Sequence, residues 1–182
     1  VPAEQLLIRF DNASTTYGAA PTYSLASVQY MDSGNAIRTL SGSQSGNTFT
    51  YSDGVGGSVS FTVAPQGAAT TGAGRLAVGN YALGDSAPTI TGSNFSALLF
   101  TGNLAVTQKA VAPVVSGVSK VYDGTTGMEG ATIAISGTLS GDAVAVSGNG
   151  AFAQKNVGSG VAYTISNLAL DGADSANYYL SG

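Results

Sequence analysis

The sequence has no cysteine, no histidine and no tryptophan, and charged residues make up only 9% of its 182 positions. Without Cys there is no disulfide framework, no thiolate metal site and no thiol nucleophile. Without His, a serine nucleophile would need a lysine or a carboxylate as its base. Lys109, Lys120 and Lys155 stand in no Ser-x-x-Lys arrangement. Asp123, Glu129 and Asp142 supply, by number alone, the two carboxylates of a glycoside hydrolase, but no motif joins them. Scattered acids on a surface this poor in charge serve solubility, so the chain is expected not to be an enzyme and to use no cofactor.

Cations are equally scarce, six Lys and Arg against ten Asp and Glu, for a net charge of −4. They are dispersed, whereas a nucleic-acid surface needs them clustered to displace phosphate counterions. A polybasic patch or basic amphipathic helix for an anionic membrane is missing too. The longer apolar stretches, such as Ala97-Leu98-Leu99-Phe100, fall far short of the roughly 18 residues of a spanning helix. Nucleic acid and membrane insertion are set aside. The chain starts at Val1 with neither Met nor a signal peptide and stops at Gly182 in mid-pattern, and is read as part of something longer.

Gly, by contrast, fills 26 positions, about twice its usual share of about 7%, and Ser, Thr and Asn carry the polarity. Turn formers at this density suit many short strands and disfavour helices. Leu6 to Phe10 reads as a strand ended by the turn cluster Asp11-Asn12-Ala13-Ser14. Tyr23 to Met31 is a second strand, with Tyr23, Leu25, Val28 and Tyr30 facing inward, and Ile37 to Leu40 a third, closed by Ser41-Gly42-Ser43. Thr48 to Tyr51 and Ser58 to Val63 alternate cleanly around Asp53-Gly54-Val55-Gly56-Gly57 and form the clearest hairpin. Gln66 to Gly74 has no period and is an exposed loop. Leu76 to Leu83 returns to strand character, and Asn94 to Phe100 with Leu104 to Thr107 reads as a closing hairpin about Gly102-Asn103.

Pro113 has no N–H for a ladder, so Gln108 to Pro113 is expected to be a short, semi-rigid linker between domains 1–110 and 111–182 set end to end. The second domain repeats the pattern with strands Ala131 to Ser136, Ala143 to Ser147, Gly150 to Ala153 and Val161 to Leu170. Val78-Gly79 aligns with Val157-Gly158, and Ser93-Asn94-Phe95 with Ala176-Asn177-Tyr178. On this alignment Leu104 to Thr107 has no counterpart, so the second domain is expected to lack its last strand and to present a free edge. The class is all-β: two tandem small β-domains, each an immunoglobulin-like sandwich or a β-grasp-like sheet. A filamentous β-helix is disfavoured, because no repeat of roughly 20 residues runs through the chain.

Two segments head these domains: Thr15-Thr16-Tyr17-Gly18-Ala19-Ala20-Pro21 and Lys120-Val121-Tyr122-Asp123-Gly124-Thr125-Thr126. The second resembles the start of a YDG domain, and the first resembles the YGX type of MBG domain. The resemblance implies repeat domains of large secreted bacterial adhesins of the filamentous-haemagglutinin kind, exported by two-partner secretion. It implies a stalk on the bacterial cell surface, acting in cell aggregation and biofilm matrix, with neighbouring repeats of the same chain as partners.

Each candidate site has a bland reading beside the functional one. Tyr122, Asp123, Gly124, Thr125 and Thr126 offer an aromatic face and hydroxyls to a sugar, yet Asp-Gly sets a tight turn, Tyr122 is expected to pack inward, and the motif is read as structural. Tyr17 and Gly18 are read likewise, with Pro21 stiffening the bend. Asp171, Asp174 and Asn177 are the densest oxygen donors for a calcium loop, without EF-hand spacing, and an ordinary Asx-bonded loop is preferred. For an intrachain cross-link of Lys to Asn beside a buried acid, Lys120 or Lys155 offers the amine and Glu129 the acid, with nothing in the sequence to specify it. A carbohydrate-binding module gripping matrix polysaccharide or host glycan is the alternative function. Its candidate aromatics are Tyr30, Tyr51, Tyr163, Tyr178 and Tyr179, of which the last two must face opposite sides of a strand. Association with other adhesin copies through sheet edges is compatible with the stalk.

Overall fold

A computed structural model describes residues 3–182, and over them the chain is all-β. It divides into two compact units: one runs to Ala69 and resumes over Leu76–Thr107, the other comprises Thr70–Arg75 and Gln108–Gly182. The sole helical piece among the described residues is a 3₁₀ turn, Ser175–Asn177. No helix there is long and apolar enough to cross a membrane.

The first unit contains β1 (Glu4–Phe10), β2 (Ala13–Thr16), β3 (Leu25–Met31), β4 (Ile37–Thr39), β5 (Gly42–Ser45) and β6 (Thr48–Ser52). It continues with β7 (Ser58–Thr62), β8 (Ala64–Pro65), β9 (Gly79–Gly84), β10 (Thr89–Thr91), β11 (Phe95–Thr101) and β12 (Asn103–Thr107). Three four-stranded sheets result, in the orders β11-β1-β3-β4, β10-β7-β6-β5 and β2-β12-β9-β8. Alternation selects the core, since Leu6, Ile8 and Phe10 all turn one way from β1 and are buried. Phe10 and Phe100 of the first sheet meet Phe49 and Phe61 of the second. Phe61 lies 5.4 Å from Phe100 edge-to-face and 5.5 Å from Phe49 in a stacked pair. These rings fill the space between the two sheets as in a sandwich. The expected hairpin is present, β6 against β7 with Thr48 opposite Thr62 and Ser52 opposite Ser58.

The expected closing hairpin is not. β11 pairs in parallel with β1, from Glu4 opposite Phe95 to Arg9 opposite Thr101, and β12 pairs in parallel with β2, from Ala13 opposite Leu104 to Thr16 opposite Thr107. The two chains run side by side and cross together from one sheet into another. At the crossing the Asn103 amide donates to the Asn12 side-chain oxygen at 3.0 Å. Gly102 adopts φ 124°, and a Cβ there would sit 2.8 Å from Phe10, so only glycine lets the strand step over β1. The residues expected to form a turn after Phe10 thus include β2. Those expected to close the third strand after Leu40 start β5, which pairs with β6.

The second unit contains β13 (Lys109–Ser116), β14 (Thr132–Ser136), β15 (Ala145–Phe152), β16 (Tyr163–Asp171) and β17 (Tyr178–Leu180). They form a sheet β14-β13-β17 and a ribbon β15-β16. The expected linker is therefore a strand, with Val111 in the core. Pro113 fits because Val111 turns its carbonyl to Ser181, and Pro113, two residues on, faces that same side where pairing with β17 has stopped. The expected break at Gly148-Asn149 does not interrupt β15; opposite it β16 carries one extra residue, a bulge at which Asn167 adopts φ 54°. At Gly150 a Cβ would lie 2.7 Å from the Met128 sulfur, so this glycine lets Met128 pack onto the ribbon. The aligned segments behave alike: Phe95 and Tyr178 are both buried and each opens a strand parallel to the first strand of its unit, opposite Glu4 and Lys109. β17 is an outer strand of its sheet.

Candidate functional site: a cleft at the Tyr-Asp-Gly turn

The segment after β13 folds back on one half-buried ammonium. Lys120 Nζ lies 2.8 Å from Asp123 Oδ1 and 3.4 Å from Glu129 Oε2, and donates to the Gly127 carbonyl at 2.9 Å and to Thr125 Oγ1. Asp123 Oδ1 also accepts from the Thr125 amide at 2.8 Å and the Thr125 hydroxyl at 2.9 Å, an Asx turn that Gly124 completes at φ 75°. The Lys120 ammonium, helped by the Thr125 amide, holds the Asp123 carboxyl down at about 2, and the same contact raises Lys120. The Thr126 carbonyl accepts from Phe152 and ties the turn to the end of β15.

With Lys120 turned inward, Tyr122 is turned out. It is 61% exposed and Val121 is 90% exposed, contrary to the expectation that Tyr122 packs into a core. Residues 117–123 are not a strand, so strict alternation does not hold there, and the neighbours Val121 and Tyr122 are both exposed. Tyr122 lines an open cleft of about 490 Å³ whose opposite wall is the irregular stretch 154–161 and whose floor carries Phe152 and Tyr163. Its polar groups fall into two sets. Lys120, Asp123 and Thr125 are bonded to one another, while Ser119, Gln154, Lys155, Asn156 and Ser159 also line the cleft and are exposed.

The other residues singled out in the sequence serve elsewhere. Tyr17 is buried, its amide donates to the Thr107 carbonyl at 2.8 Å, and Gly18 at φ 84° turns the chain after β2; Pro21 is half-buried beyond it. Asp174 is buried and accepts from the Ala143 amide at 2.8 Å, while Asp171 accepts from the adjacent Gly172 amide and Asn177 is buried in the 3₁₀ turn. Among the described residues no group of three acids could hold a metal ion. Asp142 is fully shielded between Arg75 and the Tyr178 hydroxyl. The acids considered for catalysis are thus an ion-paired turn residue, an exposed Glu129 and a buried structural Asp142. Tyr178 and Tyr179 face opposite sides, buried and about half exposed. The stretch 154–161 was not singled out as a site wall, although Val157, an apolar residue in a Gly- and Ser-rich loop, was a usable signal.

No curated protein and no solved structure matches the chain. Residues 107–182, which carry the Tyr122-Asp123-Gly124 turn and the cleft beside it, match the family model of the YDG domain.

Proposed function

We propose that this chain is a non-catalytic spacer segment of a large secreted bacterial adhesin, standing outside the cell and serving aggregation and biofilm matrix, with its first unit an MBG-type domain of the YGX kind. The observation that carries this reading is the parallel pairing of the first strand of each unit with a late one. A pull that enters at Glu4 and leaves at Thr107 reaches β1 and its parallel partner from opposite ends of their ladder. All rungs are then sheared together, where a hairpin would open one rung at a time. β13 and β17 repeat the arrangement over three residue pairs, Lys109 with Tyr178 to Val111 with Leu180. The YDG match of residues 107–182 supports the repeat-domain part of this reading.

Single-molecule pulling tests the reading. Drawn from its two ends, the chain should give force-resisting unfolding events, the first unit at the higher force, and should refold on relaxation. The chain has no native Cys, so handles can be placed at will. With Glu4→Cys and Ser93→Cys, which stand at the same end of the β1–β11 ladder, the first unit should peel apart at lower force. Equal forces in the two geometries, or no resisting event, would refute the spacer.

A second reading, a module that grips glycan, is favoured by the outward Tyr122 and Tyr163 at the cleft.

A further inference from the structure

We infer that the cleft between the Tyr122-Asp123-Gly124 turn and the stretch 154–161 is a subsite for an acidic oligosaccharide, a pyranose ring lying against Tyr122 and Tyr163 with its carboxylate on Lys155. The inference rests on the glycan-gripping reading and names its site and its ligand class.

Size comes first. A cleft of about 490 Å³ falls within the usual range of small-ligand sites, about 300–1,000 Å³. A stable protein partner would instead have to cover roughly 800 Å² of this chain. The lining chemistry narrows the class. Tyr122, at 61% exposure, and Tyr163, at 41%, expose much of their surface although the chain has buried rings available in its core. An aromatic face beside a hydroxyl suits the mixed apolar and hydroxylated surface of a sugar ring. Among the described residues neither phenol makes a hydrogen bond. The amides of Gln154 and Asn156 and the hydroxyls of Ser119 and Ser159, all in the lining, are likewise unspent and offer both donors and acceptors.

Charge selects among glycans. Of the two lysines in the lining, Lys120 is matched by Asp123 and Glu129. Lys155 has no carboxylate within ion-pair distance among the described residues. An ammonium left unpaired in a chain of net charge −4 favours a ligand that brings its own carboxylate. Lys120 acts as a positioning residue: by drawing Asp123 and Thr125 inward it holds the Tyr122 ring at the mouth of the cleft.

The test is titration of the isotope-labelled chain with galacturonate oligomers and, separately, with uncharged cello-oligomers of equal length, read by amide shifts. The uronate should bind saturably with shifts confined to 118–125 and 152–163, and several-fold more weakly at 0.5 M salt. Tyr122→Ala should weaken binding at least tenfold and Lys155→Met several-fold, while Tyr179→Ala, outside the cleft, should leave it unchanged. Unperturbed amide spectra of each variant establish folding. Saturable uronate binding that survives Tyr122→Ala would overturn this subsite and leave the glycan reading standing elsewhere. Equal binding of the neutral oligomer would overturn the acid preference. Silence toward both would overturn the subsite, with the spacer judged separately by its pulling forces.

Discussion

Arg75 Nη1 lies 2.6 Å from Asp142 Oδ1, and the Asp142 side chain is wholly shielded from solvent. Arg75 also donates to the Ser140 carbonyl at 2.8 Å, and the Tyr178 hydroxyl, which donates to the other Asp142 oxygen, accepts from the Leu139 amide at 3.0 Å. One aspartate thus fastens Thr70–Arg75 and the start of β17 into the second unit. Removing one partner of a buried pair leaves an uncompensated charge, at a cost of about 3–5 kcal/mol. Arg75 is partly exposed and Tyr178 remains bonded, so Arg75→Ala should destabilise the second unit by about 2–3 kcal/mol. Urea unfolding followed by amide signals of 109–180 checks this, and a change below about 0.5 kcal/mol would refute it.

Gly102 is where the strand following β11 steps across Phe10. An alanine there would combine a φ of 124° with a contact of 2.8 Å to both the Phe10 side chain and its carbonyl. Backbone strain of this kind costs about 1–3 kcal/mol, and the clash adds to it. Gly102→Ala should therefore destabilise the first unit by at least about 2 kcal/mol, whereas Gly46→Ala, at positive φ but in open space, should cost less. Equal losses at the two positions would show that the crossing is not constrained by Phe10.

Much of this fold was legible, and the misses share a cause. Period-two alternation located the Thr48–Ser52 and Ser58–Thr62 hairpin because both strands pair with a sequence neighbour. It could not show that Phe95–Thr101 and Asn103–Thr107, two residues apart, join different sheets, because their partners lie about 90 residues away. The alignment of Ser93-Asn94-Phe95 with Ala176-Asn177-Tyr178 held, since both supply the buried ring that opens a parallel strand. Pro113 misled in the opposite way: it was read as a boundary, and its missing N–H is harmless where the partner strand has ended. At the cleft, Asp123-Gly124 suggests a turn, and the bonds from Thr125 to the Asp123 carboxylate are a further feature. The outward Tyr122 was not legible, because the segment that carries it is not part of a sheet and has no period-two alternation to read.

The pairing of Lys120 with Asp123 should be visible as a titration. Asp123, at about 2, lies below its ordinary 3.8, so its contribution is complete above that ordinary value and is lost as pH falls through about 2. Lys120 is raised above 10.5, so its contribution is complete below that value and fades only as pH climbs beyond it. The turn is therefore closed from about pH 4 to about pH 10. Carbon-detected NMR should place the Asp123 carboxyl midpoint near 2, and Lys120→Met should move it up toward 3.8. Both groups are open enough to feel salt, so 0.5 M NaCl should shift the native midpoint upward as well. In the first unit Asp53 provides the comparison, lowered chiefly by the Asn94 amide, which donates to it at 2.6 Å, and by the amide of Val55. With no cation in that set, its midpoint should respond little to salt and rise in Asn94→Ala. If Asp123 and Asp53 respond alike to salt, then Lys120 is not the group that holds Asp123 down, and the ammonium-centred account of the turn fails.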